Sequence, residues 1–245
     1  MVGRLAQTLS LVLAASTATP ATAALVGTPI LMYHMVDPVT PAGAVGRSLT
    51  LSPAAFAAQL AWLRDHHIQT ITVSDLIADL KRGKPPRNAV VLTFDDGYAD
   101  AATVVAPLLE QYGDRASFYI SAGFVGDGRH VSWAQLRTMR AAGMEIGCHG
   151  TFHRDLTKLT PREATFEVEH CAASLTRYIG RPTTYAYAAG RWNPTIERLV
   201  EATHFDAALT ELPGVTATLN DRYRLSRRRI DRAYGLATFA ALATP

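Results

Sequence analysis

Val90-Val91-Leu92-Thr93-Phe94-Asp95-Asp96-Gly97-Tyr98 is an apolar run that stops abruptly at two carboxylates. From Ala89 to Phe94 it is apolar almost throughout, the pattern of a strand buried on both faces. Such strands belong to parallel sheets covered by helices. Upstream, Pro29 to Tyr33 reads as a buried strand, and Ser52 caps a helix opened by Pro53 with Phe56, Leu60 and Leu63 at helical spacing. Thr70 to Val73 is a strand, Ser74 caps a short helix to Leu80, and Lys81 to Arg87 is a surface loop. Downstream, a helix over Ala101–Gln111 precedes a strand over Ala116–Ile120, and a Ser132-capped helix ends at Gly143 before a strand over Met144–Cys148. Thr160 and Glu163 form a capping box opening a helix to about Ile179. Strands follow at Thr184–Tyr187, Phe205–Leu209 and Tyr223–Ile230, with a helix from Asn193-Pro194 between the first two and a short helix last. This alternation predicts an α/β (β/α) barrel of seven or eight units.

The 245 residues, about half of them apolar, are enough for a sizeable core, and a formal charge of +3 does not argue for a nucleic-acid partner. Arg4, the apolar stretch Leu5–Ala15 and Ala21-Thr22-Ala23 read as a secretory signal peptide over residues 1–23. Residues 24–245 are then the catalytic domain of a secreted protein, periplasmic or extracellular, with no membrane span in its mature form. Export permits a disulfide between Cys148 and Cys171, but buried free thiols are the expected state. Strand alternation turns Cys148 away from His149 and toward the helices, where Cys171 is expected.

The interesting residues follow apolar runs: His34, Asp95-Asp96, His149 and Gly190. In a barrel those positions gather at the C-terminal mouth, where active sites form. Asp-Gly after a strand is usually a turn, and a histidine pair with four-residue spacing is weak by itself. Together, Asp95-Asp96 and Cys148-His149-Gly150-Thr151-Phe152-His153 offer one carboxylate and two imidazoles for a metal, with one carboxylate to spare. Three protein ligands and an open position are the mark of a catalytic zinc site, and the spare carboxylate is placed to take a proton from water there.

Thr93-Phe94-Asp95-Asp96-Gly97-Tyr98 resembles the first motif of the polysaccharide deacetylase family, the NodB-homology domain of carbohydrate esterase family 4. His149-Gly150-Thr151-Phe152-His153 resembles the second, His-Ser/Thr-x-x-His, and Tyr185-Ala186-Tyr187-Ala188-Ala189-Gly190 the third. Ile30-Leu31-Met32-Tyr33-His34-Met35-Val36 resembles an N-terminal signature of the branch with poly-N-acetylglucosamine deacetylases, so the resemblance runs from Ile30 to Ile230. It implies a distorted barrel of NodB type and a divalent metal, zinc above all, held by Asp96, His149 and His153. Asp95 would be the general base and the backbone N–H near Ala189 an oxyanion donor. The family's C-terminal proton-donor histidine is missing after His204, and His34 is its natural substitute. The implied substrate is an N-acetylated polysaccharide or oligosaccharide. Alternatives are an O-acetyl esterase on xylan or another glycan, and a catalytically weakened carbohydrate-binding relative.

The third motif is degraded. Its Ala188, in place of proline, would loosen the oxyanion loop, and in the second motif Gly150 stands where Ser or Thr is usual. Among Tyr33, Tyr98, Trp133, Tyr187 and Trp192, Tyr98 and Trp192 are expected at the sugar-binding mouth, each following a motif in a loop. Asp127-Gly128-Arg129-His130 reads as a loop near the groove, and Arg227-Arg228-Arg229 as a solvated strand edge.

Overall fold

A computed structural model describes residues 27–39, 43–214 and 218–244; the expected leader lies outside them. In chain order the elements are β1 Ile30–Tyr33, β2 Met35–Val36, α1 Ala44–Leu49, β3 Thr50–Leu51, α2 Pro53–Asp65, β4 Gln69–Ile71, α3 Val73–Lys81 and β5 Ala89–Phe94. A π-helical turn over Ala101–Val105 leads into α4 Ala106–Tyr112, followed by β6 Ser117–Ile120, α5 Trp133–Ala141 and β7 Glu145–Cys148. The chain ends with α6 Pro161–Tyr178, β8 Thr184–Ala186, α7 Pro194–Ala202, β9 Ala207–Leu209, β10 Arg228–Arg229 and α8 Leu236–Ala243.

Among the described residues eight strands form one sheet, in the order β10-β1-β5-β6-β7-β8-β9, with β4 paired to β5. Every pairing in it is parallel. Leu225, just before β10, bridges Leu209 of β9, so one stretch of chain joins the two flanks of the curled sheet. The result is a distorted (β/α) barrel. Strand alternation splits its core in two. Val90, Leu92 and Phe94 pack outward against the helices with Tyr33, Phe118, Ile146 and Tyr185. Val91 points inward with Ile30, Tyr119, Ala186, Ala207, Leu209 and Leu225.

Local signals place most boundaries. Ser52 accepts from the Ala55 amide, and Ser132 and Thr160 each close a capping box. The cap of α3 is Thr72, in a box with Asp75, rather than Ser74, so β4 ends earlier than the sequence suggests. The π-helical turn before α4 adjoins Pro107, which has no amide to continue an α-helical ladder. The last strand is shorter than expected, because only Arg228–Arg229 pairs continuously with β1. The two-stranded pair β2–β3 has no period strong enough to read in advance.

Cys148 and Cys171 form a disulfide, not the free thiols expected. The reason is the alternation that turns His149 inward: it points Cys148 onto α6, whose buried face carries Cys171. The two Cα atoms come within 6.1 Å. Cys171→Ser is expected to cost about 3 kcal/mol, the effect of freeing a loop of this size in the unfolded chain. Denaturant unfolding should show the loss, and reductant should reproduce it in the unchanged protein.

Candidate active site

The site is built on the C-terminal ends of neighbouring strands. Tyr33 is in register with Phe94, and the Asp95 amide donates to the Tyr33 carbonyl (3.1 Å). His34 and Asp95 therefore leave the sheet side by side. Asp95 keeps the inward parity of Val91 and Thr93, which sends it into the barrel mouth. Asp96 breaks that parity by entering the left-handed region (φ 73°), and Gly97 follows it there (φ 81°). The second carboxylate thus turns over the mouth instead of outward into the helix layer. His153 (φ 52°) and Ala189 (φ 53°) are also left-handed. Such conformations are costly for residues with a Cβ and concentrate where function over-determines the backbone.

His149 is positioned by two bonds. Its amide donates to Ile120 O (2.9 Å), and its Nδ1–H donates to Ala186 O (2.8 Å). Nε2 is left to face Asp96 Oδ1 at 3.4 Å, and His153 Nε2 approaches the same oxygen at 3.3 Å. One ligand atom from each of the three residues lies within 4.8 Å of the others. Asp96 Oδ1 is buried and has no hydrogen-bond partner among the described residues. An oxygen cut off from water and flanked by two ring nitrogens calls for positive charge between them. A divalent cation fits, and the Nδ1–H to carbonyl bond is the usual outer support of a metal-binding imidazole.

Burial lowers the His149 pKa, but Asp95 and then Asp96 outweigh it and raise it, so without an ion the two carboxylates draw positive charge onto this ring; the other two ligands are shifted as a metal site requires. Burial opposes charge on Asp96, but His149, then His34 and His153, outweigh it and hold the carboxyl far below its ordinary range. Burial and the adjacent His149 push His153 below its ordinary value, favouring the neutral ring a metal requires.

Asp95 is held differently. Arg227 donates to both of its oxygens, Nη1 to Oδ1 (2.7 Å) and Nη2 to Oδ2 (2.8 Å), while Arg227 Nε donates to Thr210 O (3.0 Å). Both residues are buried. Burial raises the Asp95 pKa, but Arg227 and then His149 outweigh it, so the carboxyl lies below its ordinary value. His34 faces the same pair. Burial lowers its pKa against the pull of Asp95 and Asp96, and its buried Nδ1 has no partner among the described residues.

Arg227 is the main residue that sequence reasoning missed. It is no solvated edge: it shares the inward parity of Leu225, and that parity was the available signal. Arg228 is tied to the C-terminal segment through Leu242 O (2.6 Å) and Thr244 O (2.7 Å). Of the aromatics, Tyr33 and Tyr187 are core, Trp133 stacks on Tyr178, and Trp192 lies against Arg224. Tyr98 does line the cavity beside Asp96 and His153, with Phe124, His130 and Phe152. Burial, then Asp96, pushes the Tyr98 hydroxyl up to about 12, so it stays protonated.

The two departures from the family pattern have structural counterparts. Gly150 is left-handed (φ 81°), and a Cβ there would meet Glu167 Oε2 at 3.1 Å. That buried carboxylate on α6 accepts from the amides of Thr151 and Phe152, both at 2.8 Å. The Thr151 hydroxyl donates to Glu167 O (3.0 Å). The loop between the two histidines is thus anchored on α6. Glu167→Ala would leave two amides unpaired, at a cost of roughly 1–3 kcal/mol each. The expected result is lower stability together with weaker metal retention, read by unfolding and metal titration. Ala188 is buried, and Gly190 packs so tightly on Glu211 that a Cβ would approach it to 2.5 Å. That turn is packed rather than loose. It closes through Gly190 N–H to Tyr187 O (2.8 Å) and Arg191 N–H to Ala188 O (3.2 Å), bonds in which the Ala189 amide takes no part.

Comparison with known proteins bears on this geometry. A family model described as polysaccharide deacetylase matches residues 82–208. YxkH, a polysaccharide deacetylase relative from Bacillus subtilis, is 29% identical over 87% of this chain and 75% of its own length. A poly-beta-1,6-N-acetyl-D-glucosamine N-deacetylase of Staphylococcus aureus is 26% identical over 46% of this chain, and the match spans only 41% of that enzyme. The solved structure of the Streptococcus pyogenes deacetylase PplD, in complex with acetate, superposes with a TM-score of 0.83 at 25% identity, covering 90% of this chain and 99% of that one.

Proposed function

The chain belongs to the polysaccharide deacetylase family, and from that premise we propose that it is a secreted, metal-dependent enzyme that hydrolyses N-acetyl groups on an amino-sugar polysaccharide. The observation that carries this reading is the meeting of Asp96, His149 and His153 beside a second carboxylate clamped by arginine. We assign the ion to those three residues. One carboxylate and two imidazoles suit zinc. When bound, it supplies a Lewis acid that polarises the acetamide carbonyl and lowers the pKa of water.

Asp95 acts as general base, taking the proton of the attacking water as the new C–O bond forms. The Ala189 amide, free of the turn's own bonds, donates to the developing oxyanion. The C–N bond then breaks, and acetate leaves. The departing amine nitrogen takes a proton from His34 in its protonated form, and the proton that Asp95 took from water restores the charge on His34 for the next turnover. Residues 24–245 constitute the catalytic domain and 1–23 the export signal. The Cys148–Cys171 disulfide supports an oxidising compartment. No described helix is long and apolar enough to cross a membrane.

The test is acetate release by purified protein from N-acetylglucosamine oligosaccharides and, in parallel, from acetylated xylan. Release from the first, abolished by a chelator and restored by zinc, is expected. Release from xylan alone would replace the amide reading with an ester one. Glycan binding without acetate release, even with excess zinc, would reduce the protein to a binding relative.

A further inference from the structure

From the cavity beside the metal site, aromatic rings continue in an unbroken series of neighbours. Tyr98 and His130 are stacked at 5.1 Å between centroids, and His130 and Phe124 at 5.2 Å. Phe124 meets Phe152 at 6.1 Å, Phe152 meets Phe166 at 6.4 Å with planes 19° apart, and Phe166 stacks on His170 at 4.9 Å. The inner rings wall the cavity that holds Asp96 and His153. The outer two large rings face solvent: Phe152 is 46% exposed and Phe166 47%.

We propose that this track is a platform on which a sugar polymer lies as it runs out of the active site, so that the enzyme prefers long chains to short ones. The inference rests on the deacetylase reading for the identity of the sugar, but its geometry is independent of turnover. Phe152 and Phe166 are adjacent half-exposed phenylalanines, and this apolar surface opens directly from the cavity wall that Phe152 helps to form. Continuity with the catalytic cavity argues for this occupant, since Phe152 belongs both to the cavity wall and to the exposed end of the track. Pyranose rings present flat C–H faces that suit aromatic faces, and their hydroxyls find polar partners along the rim at Asp127 and His130, already paired at 2.9 Å. The platform is also pre-organised. Phe152 packs on the backbone of Gly123, where an added Cβ would lie 2.4 Å from the ring, and its amide is held by Glu167. Little side-chain freedom is lost when sugar binds to a ring fixed in this way.

The test uses the full chain and an N-acetylglucosamine dimer and hexamer. Binding is measured by calorimetry, and acetate release separately. The unchanged protein should bind the hexamer more tightly than the dimer. Phe166→Ala should lower hexamer affinity about five- to tenfold, while its effect on the dimer is smaller. Phe166→Tyr, which keeps the ring, should restore the preference; both substitutions lie on an exposed helix face that the core does not use. Equal affinities for dimer and hexamer, or a Phe166→Ala loss that ignores chain length, would overturn the platform. So would a Phe166→Ala effect on sedimentation mass without one on sugar affinity, which would make the patch a contact between copies. Ring-dependent hexamer binding without acetate release would sink the deacetylase reading and leave the platform standing.

Discussion

Asp95→Asn is expected to lower acetate release by about 10²–10⁴-fold, the usual contribution of a positioned general base, while metal content stays near that of the unchanged protein. Asp95 is buried, and Arg227 bonds to both of its oxygens. A carboxylate has about four lone-pair sites, so two remain for water after the arginine is satisfied. Because Arg227 outweighs burial and keeps the carboxyl below its ordinary pKa, Asp95 is ionised throughout the neutral range. Asparagine has a similar shape but cannot take the proton. Asp96→Asn is the informative contrast, because it changes the oxygen at which His149 and His153 converge. It should lose metal and turnover together. The decisive measurement is metal stoichiometry alongside kcat for both variants. Full activity in Asp95→Asn would remove the base assignment, and loss of metal from it would make Asp95 a ligand instead.

The barrel was legible because its signals are local and repeated. A run such as Ala89–Phe94, buried at every position, has few alternatives to a central parallel strand. Helix starts at Ser52, Ser132 and Thr160 are fixed by a hydroxyl that accepts an amide bond, chemistry visible within four residues. Elements set by tertiary pairing were not legible in this way. The β2–β3 pair has two residues in each strand, and β10 exists because its backbone meets β1 across most of the chain.

The site divides along the same line. Asp95, Asp96, His149 and His153 stand out because polar residues ending buried strands demand an explanation. The arginine that completes the pair sits beside two others in sequence, and three adjacent arginines look like a solvated edge. Arg227 and Arg229 both share the parity of Leu225, but of the three arginines only Arg227 is buried, and only its reach past Thr93 shows which carboxylate it meets. Glu167 lies in an otherwise ordinary amphipathic helix, and its role appears once α6 is docked under the histidine loop. Free thiols were expected in place of the disulfide for the same reason, since the direction of Cys148 was predictable but the position of Cys171 along α6 was not.

Arg227→Met should be the most destabilising single change at the site, at roughly 3–5 kcal/mol near neutral pH, because it strands a buried carboxylate without its partner. The loss should also depend on pH in a way simple loss of packing does not. In the unchanged protein the folded-state pKa of Asp95 is depressed. Its stabilising contribution is therefore present above the unfolded value of about 3.9 and is lost as pH falls through the folded value. Without Arg227, burial is opposed only by the neighbouring histidines, and the folded pKa rises. The unfolded chain then binds fewer protons than the folded one above about pH 3.9, so stability falls as pH climbs toward neutrality. The gap between the two proteins should accordingly be small near pH 4 and wide near pH 7, measured by urea unfolding on chelated samples. Activity should move the same way: the acid limb of kcat/KM shifts upward, because Asp95 must lose its proton before it can accept one. A stability gap equal at both pH values would mean that Arg227 serves as packing, and the coupling between the clamp and the base would fail with it.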